Sequence, residues 1–177
     1  MKIAITGHTA GIGQALAEEY LLDGHDIVGL SRREGNNIRN TPKICDQIEP
    51  CDVFVNNAQA GYAQTELLFE MAQRWQGFSK HIIVISTQMT LEPSAFDESL
   101  DHYRIQKVAL EQAVHQLRHR HRNPQITLVR PGNIATTPSK TVPPAADVNN
   151  WARTILDIMD MAARNGLCIP DISLGPQ

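Results

Sequence analysis

Two rhythms of apolar and polar positions alternate along this chain. Short apolar runs read as buried strands: KIAIT (2–6), DIVGLS (26–31), CDVFVNN (51–57), HIIVIST (81–87), QITLVRP (125–131) and LCIPDISL (167–174). HIIVIST is strongly β-branched, as buried parallel strands tend to be. Between the runs, apolar residues recur at helical spacing. Ile12, Leu16 and Tyr20 fall four apart within 12–23, and Gly24 ends that helix. The pattern predicts further helices over 42–49, 64–77, 100–122 and 146–164, and a short third strand around Asn37–Arg39.

Strand and helix in alternation predict an α/β fold, a doubly wound parallel β-sheet of Rossmann type with helices on both faces. The three layers form a single domain over 1–177, because no repeat, low-complexity tract or linker divides the chain. In such sheets ligands sit beyond the carboxyl ends of the strands. Gly7, Asn56, Ser86 with Thr87, and Pro131 with Gly132 are expected to gather on that edge.

Composition narrows the partners. A net charge of −3 gives no general steering toward nucleic acid or anionic lipid. No apolar stretch is long enough to span a bilayer, and Lys2 leads directly into a strand rather than a secretory leader. A cytoplasmic location is expected. Cys45, Cys51 and Cys168 lack CxxC or zinc spacing and read as reduced thiols. His115 and His119 have metal-pair spacing but no HExxH carboxylate. With Arg118, Arg120, His121 and Arg122 they read as a basic helix end, so no metal site is expected. Trp75 and Trp151 read as packing residues.

Candidate chemistry begins at Thr6-Gly7-His8-Thr9-Ala10-Gly11-Ile12-Gly13, after a strand and at the start of a helix. Glycine allows positive φ and close approach, and free N–H groups at a helix start attract a pyrophosphate. The spacing alone fits a ligand-free turn equally well. A second signal is Tyr103 and Lys107, four apart on one helix face. A tyrosine of pKa near 10 is a poor acid at neutral pH, and a nearby ammonium favours its phenolate. So tuned, the phenol exchanges a proton with a carbonyl or alcohol oxygen.

TGxxxGxG together with YxxxK resembles the short-chain dehydrogenase/reductase family, and the resemblance extends from Lys2 to about Leu174. It implies that Gly7, His8, Thr9, Gly11, Ile12 and Gly13 frame the dinucleotide, and that Lys107 also holds the nicotinamide ribose beside Tyr103. VNNAQAG (55–61) resembles the family's NNAG, which puts Asn57 and Ala58 beside the cofactor, with Gln59 replacing its glycine. RPGNIATTP (130–138) resembles PGxxxT, which puts Pro131, Gly132, Ile134 and Thr136 near the nicotinamide. The catalytic hydroxyl that the family carries at the end of the central strand falls to Thr87, with Ser86 as the alternative. The helices 64–77 and 100–122 (Leu67, Leu68 and Met71; Val108, Leu110 and Val114) are expected to pair in a homodimer or homotetramer.

Departures from the family are as informative. Its members run longer, and about twenty residues from Arg33 to Val53 leave little room for a full helix–strand–helix set. The family's catalytic asparagine has no counterpart in 60–85, which leaves Gln64, Gln73 or a water as substitutes. After the second strand come Ser31, Arg32 and Arg33, with His8 nearby, in place of an acidic residue. A hydroxyl and guanidinium groups suit a 2′-phosphate, so NADP(H) is expected over NAD(H). The expected activity is hydride transfer between nicotinamide and a carbonyl or secondary alcohol. The alternatives are a non-catalytic NADP(H)-binding regulator or sensor, and an enzyme like the sugar-nucleotide epimerases and dehydratases.

Overall fold

The computed structural model describes residues 1–91, 98–120, 122–136 and 144–176. Among them are six strands: β1 (Lys2–Thr6), β2 (Asp26–Leu30), β3 (Val53–Asn56), β4 (His81–Ile85), β5 (Gln125–Pro131) and β6 (Asp171–Leu174). All pair in parallel in the order β2-β1-β3-β4-β5-β6. The helices are α1 (Gly11–Leu22), α2 (Thr41–Ile48), α3 (Ala63–Arg74), α4 (Asp101–Arg120) and α5 (Val148–Arg164).

Side-chain alternation along the strands builds two separate cores. Ala4, Phe54, Ile82, Val84, Ile126 and Leu128 point to the face covered by α2, α3 and α4. Ile3, Ile5, Val53, Val55, Ile83, Ile85 and Val129 point to the face covered by α1 and α5. Both faces of the central strands are dry, which is why their sequence is continuously apolar. Trp75 and Trp151 are buried in opposite cores, each with its indole N–H bonded to a backbone carbonyl, Glu49 and Leu174. Leu67, Leu68, Met71, Leu110 and Val114 also fill the core; on α3 and α4 it is Phe69 and Ile105 that stay exposed.

The third strand expected around Asn37–Arg39 is a turn. Asn40 N–H bonds to the Asn37 carbonyl at 2.9 Å, and Arg39 N–H bonds to the Asn37 side chain at 3.1 Å. The segment curls on itself and inserts Ile38 into the core, so β2 is left at the edge of the sheet. The last helix starts at Val148 rather than 146, because Ala146 bridges to Ile134 and Asp147 caps the N–H groups of Asn149 and Asn150. The last strand is confined to its final four residues. Among the described residues, no helix is long and apolar enough to cross a membrane.

Phe54 is fully buried at the centre of the sheet. Phe54→Ala is expected to cost about 3–5 kcal/mol, read as a lower urea midpoint.

Candidate active site

The sheet order turns back between β1 and β3, the place where open parallel sheets take ligands, at the carboxyl ends of the strands. The first loop packs tightly. Gly7 and Gly11 have φ of +74° and +55°, which side-chain-bearing residues rarely adopt. A Cβ on Gly13 would stand 2.3 Å from the Gly7 carbonyl and 2.6 Å from the Asn57 side chain. Thr6 joins the two strand ends: its Oγ1 accepts the N–H groups of Asn57 and Ala58, both at 3.0 Å. Asn57 Nδ2 returns a bond to the Thr6 carbonyl at 2.9 Å.

On the outer side, Gly7, Thr9, Ser31, Arg32, Arg33 and Ala58 line a recess of about 240 Å³. His8 lies over Gly29, where a Cβ would stand 2.3 Å from its ring. Ser31 Oγ donates to Glu34 Oε2 at 3.1 Å, and His8 Nε2 is 3.4 Å from the same oxygen. Arg32 and Arg33 are exposed and pair with no carboxylate among the described residues.

The inner recess, about 280 Å³, is lined by Ile12, Asn57, Thr87, Tyr103, Lys107, Gly132 and Ile134, among others. Thr87 and Tyr103 face each other in this recess, and the Thr87 hydroxyl also accepts the Met89 N–H at 3.3 Å. Burial raises the Tyr103 phenol above its usual range, and the Thr87 hydroxyl pulls the other way. Lys107 is 3 % exposed. Its Nζ donates to Gln64 Oε1 and to the Ile85 carbonyl, both at 2.9 Å, and lies 5.6 Å from the Tyr103 ring centroid. Burial lowers its pKa to about 7, against the opposing charge of Glu111. Gln64 is itself fixed, its amide donating to the Asn56 carbonyl at 2.7 Å and the Ile85 carbonyl at 3.0 Å.

No protein-family model matches the sequence, and comparison with curated proteins finds no significant match. Solved structures do match. An alcohol dehydrogenase from the archaeon Thermococcus sibiricus, complexed with 5-hydroxy-NADP, is similar at TM-score 0.79 and 14 % identity over 98 % of this chain and 95 % of that one. A short-chain dehydrogenase from Burkholderia cenocepacia J2315 in complex with NADP is similar at TM-score 0.72 and 16 % identity, covering 99 % and 88 %. A 3-ketoacyl-(acyl-carrier-protein) reductase from Brucella melitensis complexed with NADH is similar at TM-score 0.73 and 12 % identity, covering 98 % and 96 %. The chain has the fold of the short-chain dehydrogenases/reductases.

On that fold, the glycine turn, Asn57, Ala58, Thr87, Tyr103, Lys107 and the Pro131–Thr136 segment converge on one edge. Thr136 reaches back to the glycine turn, its Cβ 3.3 Å from where a Gly11 Cβ would be. Ser86 lines the recess, but its hydroxyl turns away to Glu111. Of the two glutamines, Gln64 meets Lys107, whereas Gln73 is exposed on α3. Gln59 instead bonds to Gln106 on α4. His115 and His119 stand on the exposed outer face of α4; His121 lies outside the described residues. Sequence reasoning did not single out Thr6, Glu34 or Glu111. For Glu111, the four-residue step from Tyr103 through Lys107 was the available signal.

The lowered Lys107 pKa has a stability consequence. The folded protein binds this proton less tightly than the unfolded chain, so burial of the lysine costs most below pH 7 and costs nothing above about 10.5. Lys107→Met is therefore expected to gain stability relative to the unaltered protein near pH 7. Denaturant titrations from pH 7 to 10 should show the gap narrowing as pH rises.

Proposed function

We propose that the protein is an oxidoreductase that uses NADP(H) in preference to NAD(H) to interconvert a carbonyl and a secondary alcohol. The observation that carries this reading is the meeting of Thr87, Tyr103 and Lys107 in one recess beside the glycine turn. The turn fits a pyrophosphate. Helix α1 has no side-chain cap and no acidic residue in its first turn, which leaves N–H donors for an anion. His8 Nδ1 is buried without a hydrogen-bond partner among the described residues. The nicotinamide dinucleotides bound to the similar structures support a pyrophosphate site at this turn.

The nicotinamide supplies hydride to the substrate carbon, or accepts it, when bound. Tyr103 gives the balancing proton to the substrate oxygen in reduction and takes it back in oxidation. Thr87 directs a hydroxyl to the same oxygen and stabilises the charge that develops there. Lys107, with two of its three donors held by Gln64 and Ile85, favours the Tyr103 phenolate and keeps one N–H for the cofactor ribose. Gln64 takes over the anchoring of the lysine in a chain without an asparagine on α3. Asn57, Ala58, Pro131, Gly132, Ile134 and Thr136 border the nicotinamide side, and Gly7, Thr9, Gly11, Ile12 and Gly13 the pyrophosphate side.

The cofactor preference rests on Ser31, Arg32 and Arg33. The unpaired guanidinium groups are free to bind a 2′-phosphate, which displaces Glu34 from Ser31 because two anions do not share one hydroxyl. Exposed Phe69 and Ile105, at 38 % and 49 %, are the apolar residues through which α3 and α4 would pair two copies.

Side-by-side fluorescence titrations should give tighter binding of NADPH than NADH. Arg32→Ala with Arg33→Ala should weaken NADPH roughly tenfold or more and leave NADH nearly unchanged. Equal or tighter NADH binding to the unaltered protein would reject the preference. NADPH consumption across ketones, aldehydes and quinones tests the reaction, with Tyr103→Phe expected to lower kcat by roughly 10²–10⁴ while NADPH still binds. Firm NADPH binding with no turnover on any carbonyl would make the protein a sensor.

A further inference from the structure

Glu111 lies one helical turn beyond Lys107, on the ridge of α4 that carries Tyr103. It is 7 % exposed and its carboxylate meets four donors. Oε1 accepts the Ser86 hydroxyl at 2.5 Å and lies 2.8 Å from the Thr90 hydroxyl, whose one proton it shares with the Thr87 carbonyl at 2.9 Å. Oε2 accepts Arg130 Nε at 2.9 Å and Nη2 at 2.8 Å. Arg130 continues to Asp171 on β6 at 3.0 Å, and Asp171 also holds Arg118 of α4 at 2.9 Å. Ser86 and Thr90 stand on either side of Thr87: Ser86 directly follows β4, and Thr90 closes the short 3₁₀ turn Gln88–Thr90. Arg130 immediately precedes Pro131 and Gly132, which line the same recess. One carboxylate thus joins three segments that form the recess.

Stability alone is a poor reason for such a cluster. Taking a carboxylate and a guanidinium out of water costs several kcal/mol per ion, and an apolar pair of similar volume is often as stable. What the charges give here, and apolar groups would not, is directional bonding to two hydroxyls that flank a third. We propose that Glu111 is a positioning residue, which fixes the Thr87 hydroxyl against Tyr103 by bonding the residues on both sides of it. The inference rests on the catalytic reading of Thr87, Tyr103 and Lys107.

The same carboxylate acts on the Lys107 ammonium, whose other neighbours among the described residues are neutral or distant. Gln64 of α3 and the Ile85 carbonyl of β4 carry no charge, Tyr103 faces it from α4, and Arg130 of β5 stands behind Glu111. Removing the charge of Glu111 leaves burial unopposed, so the Lys107 titration moves further down from about 7.

Glu111→Gln preserves shape and removes the charge. It is expected to bind NADPH within about twofold of the unaltered protein and to lose roughly tenfold to a hundredfold in kcat, with KM for NADPH unchanged. Its Lys107 midpoint, followed by ¹³Cε chemical shift and assigned with Lys107→Arg, should fall by about one unit. Thr90→Val keeps the Glu111–Arg130 pair, so it stands in if Glu111→Gln does not fold. It is expected to lower kcat without moving the Lys107 midpoint. A folded Glu111→Gln with unaltered kcat and Lys107 titration, or Thr90→Val with unaltered kcat, overturns the proposal. If the unaltered protein reduces no carbonyl, the catalytic reading fails first. Hydrogen exchange at the Thr90 and Leu91 amides, bonded to the Thr87 and Gln88 carbonyls, then decides the role of Glu111. Faster exchange in Glu111→Gln, or in Ser86→Ala if Glu111→Gln does not fold, supports the clamp, and unchanged exchange rejects it.

Discussion

A lysine ammonium taken out of water keeps its proton only if bonds and charges in the protein replace its hydration. Lys107 is such a group, and the site is arranged around its needs. Gln64 and the Ile85 carbonyl supply two acceptors, and Glu111 supplies an opposing charge one turn along the helix. The acceptors come from α3 and β4, while the lysine comes from α4. Holding one proton therefore locks three elements together at the carboxyl edge of the sheet. With its pKa lowered to about 7, the group is poised where a small change in its surroundings alters its charge.

The second constraint is space. At the start of α1 the backbone passes so close to Asn57 that Gly13 admits no side chain, and Gly29 leaves room for the His8 ring. These contacts draw the first and third strands into one wall, cross-linked by Thr6 and Asn57. The chain is economical elsewhere. It turns at Asn37 where a further strand was expected, so the recess beside Ser31 opens next to an edge strand.

Much of this was legible. The apolar runs located all six strands, the four central ones most clearly, because strands covered on both faces leave no polar positions to confuse the pattern. The Tyr103–Lys107 spacing was readable because it is local to one helix. Errors occurred where local signals were weak or shared. Asn37–Arg39 reads as a strand by its neighbours, yet an asparagine bonds its own backbone readily and curls the segment. The apolar residues of α3 and α4 that suggested an external partner are mostly consumed inside, since these helices pack on each other as well as on the sheet.

The order of elements, the parallel sheet and the residue types gathered at its edge all follow from periodicity and from glycine and proline chemistry along the chain. It took the packed fold to settle which hydroxyl of the Ser86-Thr87 pair faces Tyr103, which glutamine reaches Lys107, and that Glu34 and Glu111 bond residues lining the two recesses. Both hydroxyls lie against α4, and only the packing of that helix determines which one meets Glu111 and which the phenol. Gln64 and Lys107 are 43 positions apart, and their bond exists only once α3 and α4 are docked on the same face. Long-range pairs of this kind leave no periodic trace in the chain, so the anchor of the lysine became visible only when the fold closed around it.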